Sequence, residues 1–214
     1  MAGVLIAFEG IEGSGKSTQA KKIYRFLKQN KIPTILTYEP GGTSIGNQIR
    51  EILLSTKNRN MCKKTELLLY LASRAQHVYE KIIPELAKGK IIITDRFSLS
   101  SMAYQGAARG ISYKIIYQFN KFAANGIDPD LTILVDLPVK MGMARKINRT
   151  NKNLDRIEKE KIEFHQKIRD AYIYLAQKSP RKILIFSGIE DENILFNKIK
   201  DKVVNFLSKK GLWQ

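Results

Sequence analysis

Five short runs of the chain lack the alternation of apolar and polar positions that marks a strand with one wet face: Val4 to Phe8, Pro33 to Thr37, Ile91 to Thr94, Leu131 to Val135 and Lys182 to Phe186. Runs of this kind predict strands buried on both faces. Between them, apolar positions recur at helical spacing and predict helices over Lys16 to Gln29, Ile45 to Leu54, Lys63 to Ala87, Tyr113 to Ala124, Lys140 to Asn148, Asp155 to Gln177 and Glu192 to Ser208. Strands that alternate with helices within crossover distance point to an α/β fold, a five-stranded parallel sheet flanked by helices on both faces. Ile147 to Leu154, rich in Asn and Lys, breaks the pattern and is expected to be an exposed, mobile loop that serves as a lid.

Composition changes this picture little. The chain has 214 residues, 43% hydrophobic and 27% charged, with no internal repeat or linker, so one domain over residues 1–214 is expected. The single cysteine, Cys62, offers neither an internal disulfide nor metal-ligand spacing. No apolar run approaches the roughly 18 residues that span a bilayer, and no basic segment precedes the first apolar run. A soluble cytoplasmic protein without a membrane partner is the expectation. Charge adds more. Lys and Arg total 37 against 20 Asp and Glu, a net +17, which raises affinity for polyanions in general. The excess is spread along the chain and no nucleic-acid reader motif accompanies it, so no specific nucleic acid is expected. The densest stretch, Lys140 to Asp170, holds ten basic and five acidic side chains.

The sharpest chemistry lies at Gly10-Ile11-Glu12-Gly13-Ser14-Gly15-Lys16-Ser17, a full G-x-x-x-x-G-K-S between a predicted strand and a predicted helix. Glycines let the backbone curl with its N–H groups inward, where they and the helix N-terminus receive anionic oxygens. Gly10, Ile11, Glu12, Gly13, Ser14, Gly15, Lys16, Ser17 and Thr18 are therefore candidate contacts for ATP. Lys16 reaches for the β and γ phosphates and the Ser17 hydroxyl for Mg²⁺. Asp95, at the end of the third apolar run, reads either as a carboxylate orienting a magnesium water or as a cap for the next segment. Asn151 to Asp155 lacks the spacing of a guanine reader. Motors, switches and small-molecule kinases remain open on the cradle alone.

Further motifs follow in order: Glu39-Pro40-Gly41-Gly42-Thr43, Arg74-Ala75-Gln76-His77, Asp95-Arg96-Phe97, Ala103-Tyr104-Gln105-Gly106 and Leu154-Asp155-Arg156-Ile157-Glu158. With Phe8 to Gln19 they resemble bacterial thymidylate kinase over most of the chain. The resemblance implies a P-loop kinase fold with a lid at about 145–158, and a homodimer packed through the long helices. It also implies ATP- and Mg²⁺-dependent phosphoryl transfer to thymidine 5'-monophosphate. By the same resemblance a lid arginine, Arg145, Arg149 or Arg156, supplies the catalytic guanidinium while Glu12 sits in the cradle. The acids beside Arg156, Asp155 and Glu158, are candidates to pair with it instead. Arg96 and Arg50 are expected to grip the acceptor phosphate, and Glu39, before a cis Pro40, to lie near its sugar. Tyr70, where a phenylalanine is frequent, is expected to stack on thymine, Arg74 and Gln105 with Ser101 to meet the base, and Tyr104 to lie against the sugar. His77 and His165 are read as structural or interface residues and Cys62 as inert. Two other readings stay in view: another small P-loop nucleotide or deoxynucleoside kinase, and a nucleotide-dependent nucleic-acid-binding module.

Overall fold

A computed structural model describes residues 3–150 and 154–213, with Arg149 and Thr150 described by their backbone alone. Its core is a parallel sheet of β1 (Val4–Glu9), β2 (Thr34–Tyr38), β3 (Ile91–Asp95), β4 (Leu131–Asp136) and β5 (Ile183–Ser187) in the order β2-β3-β1-β4-β5. The central strand pairs Val4 with Ile91 on one side and Ile6 with Leu131 on the other. Its alternate residues face opposite layers, which is why the run is apolar throughout. Val4, Ile6 and Phe8 pack with Ile23, Leu27, Ile199 and Val203, from α1 (Lys16–Gln29) and α9 (Glu192–Lys209). Leu5 and Ala7 pack with Val78, Ile82 and Phe97 on the other face.

Each strand continues one residue past its apolar run, to Glu9, Tyr38, Asp95, Asp136 and Ser187. The ladder is a backbone property and outlasts the burial that made the run visible. As a result a row of polar side chains lines the carboxyl edge of the sheet, where open α/β sheets bind their ligands.

The remaining helices are α2 (Ser44–Leu54), α3 (Lys63–His77), α4 (Ile83–Ala87), α5 (Ser98–Ser101), α6 (Tyr113–Ala123), α7 (Val139–Thr150) and α8 (Ile162–Lys178). Three expectations are corrected. The helix predicted over Lys63 to Ala87 is interrupted by a π-helical turn, Val78–Ile82. That predicted from Asp155 begins only at Ile162, because the Asp155 carboxylate accepts the N–H groups of Ile157 and Glu158, each at 2.9 Å, and holds a turn instead. The expected loop from Ile147 is helical as far as Thr150, and its residues 151–153 lie outside those described. The pattern also missed α5 and the π-helical Met102–Ala108 that continues it: four α-helical residues followed by i→i+5 bonding leave no 3.6-residue period to detect. Among the described residues no helix is long and apolar enough to cross a membrane.

Candidate active site

A cleft of about 790 Å³ opens along the carboxyl ends of the strands. At one end lies the turn from β1 into α1. Gly13, at φ +73°, has the carbonyl of Gly142 packed where a Cβ would stand, which seats the turn on α7. Gly15, at φ +96°, has nothing within 4 Å of that position and caps α1 in the left-handed region, so the backbone N–H groups of the first helical turn stay approachable. Lys16 is buried and its ammonium donates to the Ile11 carbonyl at 3.3 Å. Burial, helped by the nearby Arg96, pushes the Lys16 pKa down. Ser17 and Thr18 line the same cleft.

Beside the cradle, Glu12, Arg96 and Tyr104 form one charged unit. Arg96 donates from Nη2 to Glu12 Oε1 at 2.7 Å, and Tyr104 donates its hydroxyl to both Glu12 oxygens at 2.7 and 2.9 Å. The Arg96 guanidinium lies 5.1 Å from the Tyr104 ring centroid and also donates to the Gly10 carbonyl. Burial alone would raise the Glu12 pKa, yet Arg96, then Lys16, hold it at about 2 instead of 4.5. A depressed carboxylate contributes stability that is present above its unfolded pKa and lost as pH falls through the folded one. The stability difference between the native chain and Glu12→Gln is therefore expected to shrink as pH drops from 4.5 to about 2, read from denaturant unfolding across that window. A difference independent of pH there would show that Glu12 is not held ionised by its neighbours.

The opposite end of the cleft carries the second set of expected residues. Arg74 donates from Nε to Glu39 at 2.8 Å and from Nη1 to Ser101 Oγ at 2.9 Å and to Asn120 Oδ1. Glu39 also meets His77 Nδ1 at 3.0 Å, and His77 Nε2 meets Thr37 Oγ1 at 2.7 Å, so both ring nitrogens of the buried His77 are engaged within the fold. The carboxyl pKa of Glu39 is lowered: burial opposes this, but Arg74 and His77 outweigh it. The Glu39-Pro40 bond is cis. Arg50 donates to the Pro40 carbonyl at 2.9 Å and lies on the cleft wall with Tyr70, whose hydroxyl pKa burial raises. Ser101, the last residue of α5, and Tyr104 and Gln105, in the π-helical Met102–Ala108, all reach the cleft.

The lid arginines divide. Arg145 lines the cleft and donates to the Gly188 carbonyl at 2.9 Å. The Arg149 side chain lies outside those described. Arg156 is buried and turned the other way: it meets Glu66 at 2.7 Å and the Leu53 carbonyl at 2.8 Å, not Asp155 or Glu158. Glu158 instead pairs with Lys146 at 2.6 Å.

Sequence reasoning missed several groups. Glu9 is fully buried and accepts from the N–H groups of Phe97 and Ser100, the Ser100 hydroxyl and the Tyr172 hydroxyl, which anchors the segment after Asp95 and Arg96. Burial raises its pKa. The signal was available, since Glu9 follows an apolar run just as Asp95 does. Glu66 and Arg109 carried no such mark. For magnesium, the fit rests on Asp95: its buried Oδ1 has no hydrogen-bond partner among the described residues and the residue lines the cleft with Ser17. A hard, oxygen-preferring cation suits that donor set.

A family model described as thymidylate kinase matches residues 8–199. The chain is 44% identical over 200 residues to thymidylate kinase from Carboxydothermus hydrogenoformans, covering 94% of this chain and 96% of that one. It is 46% identical over 184 residues to thymidylate kinase from Latilactobacillus sakei, covering 86% of each. The crystal structure of thymidylate kinase from Ehrlichia chaffeensis superposes with a TM-score of 0.76 at 30% identity, over 95% of this chain and 99% of that one.

Proposed function

The chain belongs to the thymidylate kinase family, and from that membership we propose how its cleft divides the family's reaction among named residues. The reaction is phosphoryl transfer from ATP to thymidine 5'-monophosphate, giving the diphosphate. One observation carries the division of labour: a single cleft has the glycine cradle and Lys16 at one end and Glu39, Arg50, Tyr70, Arg74 and Gln105 at the other. Two ends facing across one cavity suit two nucleotides bound with their phosphates towards each other.

In this reading the cradle N–H groups and Lys16 hold the donor's β and γ phosphates. Arg96 and Arg50 hold the acceptor phosphate in line with the γ-phosphoryl group, and positioning is most of the catalysis, since the acceptor oxygen is already ionised and needs no general base. Glu12 keeps Arg96 oriented between the two. A guanidinium from Arg145 or Arg149 meets the charge that spreads over the equatorial oxygens. Arg156, committed to Glu66 and the Leu53 carbonyl, anchors the end of the lid. Ser17 would ligate a bound Mg²⁺ and Asp95 would orient its water, and the ion would supply charge neutralisation for the donor phosphates. Tyr70 stacks on the base, Gln105 and Arg74 read its edge, and Tyr104 stands against the sugar.

The chain forms a single P-loop kinase domain with its lid at 145–158. A homodimer is supported by large apolar side chains left exposed on and beside α3 and α6, among them Leu68, Tyr79, Tyr117 and Phe122.

The test is a coupled assay of ADP release with ATP and one acceptor at a time, with and without a chelator. Turnover with thymidine monophosphate, not with thymidine or adenylate, and its loss on chelation and return with Mg²⁺ are expected. Faster turnover of thymidine would move the chain to the nucleoside kinases. Sedimentation at twice the chain mass checks the dimer.

A further inference from the structure

Gln105 lines the cleft, and behind it, outside the cleft lining, lies Glu66 on α3. Glu66 is 1% exposed, and four donor atoms converge on its two oxygens. Gln105 Nε2 donates to Oε1 at 3.0 Å, and Arg109 donates from Nε to Oε1 at 3.1 Å and from Nη2 to Oε2 at 3.0 Å. Arg156 Nη1 completes the set at 2.7 Å from Oε2. Two guanidinium groups against one buried carboxyl keep it ionised, and its pKa lies below the usual value although burial opposes this. An ionised carboxylate only accepts hydrogen bonds. The Gln105 amide therefore has one orientation open to it, nitrogen toward Glu66, and its Oε1 makes no hydrogen bond among the described residues.

That constraint bears on which base fits. Thymine presents N3–H, a donor, flanked by carbonyl oxygens; cytosine presents N3 as an acceptor, beside an amino donor. A freely turning glutamine amide is its own complement and serves either edge by rotating half a turn about its last bond. An amide whose nitrogen is held from behind offers its carbonyl oxygen to the ligand, with the second N–H beside it, which matches the thymine order. We propose that Glu66 is a positioning residue for base selection: by accepting from Gln105 Nε2 it locks the amide in the orientation that reads a keto pyrimidine and excludes an amino one. This rests on the reading of Gln105 as a base contact.

The experiment compares kcat/KM for thymidine monophosphate with that for deoxycytidine monophosphate, taken as a ratio within each variant so that general damage cancels. Glu66→Gln replaces an acceptor-only group with one that also donates, so the Gln105 amide is free to turn. Leaving a buried polar group mispaired corresponds to roughly 5- to 150-fold, and the ratio is expected to fall by at least about fivefold in Glu66→Gln and in Gln105→Ala. Arg109→Met, which removes another Glu66 partner and leaves the Gln105 bond, is expected to lower the melting temperature and keep the ratio. A ratio that collapses in Gln105→Ala but survives in Glu66→Gln overturns the lock and leaves the base contact standing. A ratio unchanged in Gln105→Ala overturns the base contact and the lock together. Should Glu66→Gln fail to fold, the Gln105 side-chain amide protons of the native enzyme, assigned by their loss in Gln105→Ala, give the answer by NMR. Slow exchange of these protons with solvent supports the lock, and rapid exchange overturns it.

Discussion

Lys16→Ala is expected to lose turnover by about 10²- to 10³-fold or more, the scale set by removing one preorganised donor from a charge-developing site, while thymidine monophosphate still binds. The ammonium is buried beside the Ile11 carbonyl at the cradle end of the cleft, remote in function from the acceptor end. Burial, and after it Arg96, disfavours its charge there, against the opposing pull of Asp95, Glu12 and Glu9; a polyphosphate arriving in the cradle reverses that balance. Steady-state assay of ADP release gives the rate, and calorimetric titration with the monophosphate gives the retained binding. Turnover near that of the native chain would remove the cradle from the mechanism.

Arg96→Met has the other large effect, on two quantities at once. Its guanidinium is the hub of Glu12, the Gly10 carbonyl, Ser100 and Tyr172. Breaking a buried ion pair by removing one partner costs about 3–5 kcal/mol, and the pair here is mostly buried, at 14% and 21% side-chain exposure. Losing a buried charge contact to a ligand costs about 2–5 kcal/mol, so kcat/KM for thymidine monophosphate is expected to drop by roughly 30- to 5,000-fold. The double variant Arg96→Met with Glu12→Gln separates the two, because it relieves the stranded carboxylate without restoring a phosphate grip. Stability is expected to return in large part and kcat/KM to stay low. Recovery of kcat/KM along with stability would make Arg96 a structural residue only.

Legibility in the sequence followed the range of each interaction. The cradle was readable because strand, glycine turn and helix are contiguous, and α1 runs over the predicted Lys16 to Gln29. Helices ended or broke unexpectedly where a side chain competed for the backbone, as Asp155 does, or where the period changed, as in the two π-helical turns. Arg74 and Gln105 line one cleft, but their partners were not foreseen. Arg74 is held by Glu39, 35 residues away, and Gln105 by Glu66, 39 residues away.

By itself the sequence determined which segments are buried strands, where the phosphate-binding turn lies and, through six ordered motifs, the family. These depend on burial periodicity and on local backbone freedom, both written in consecutive residues. Only the tertiary structure decided that Glu66 gathers Gln105, Arg109 and Arg156 around one carboxylate, and that Glu12, Arg96 and Tyr104 form one charged unit. A carboxylate's partner is whichever cation the strand order β2-β3-β1-β4-β5 brings within hydrogen-bond reach, and Coulomb attraction across a folded core has no periodicity along the chain to reveal it.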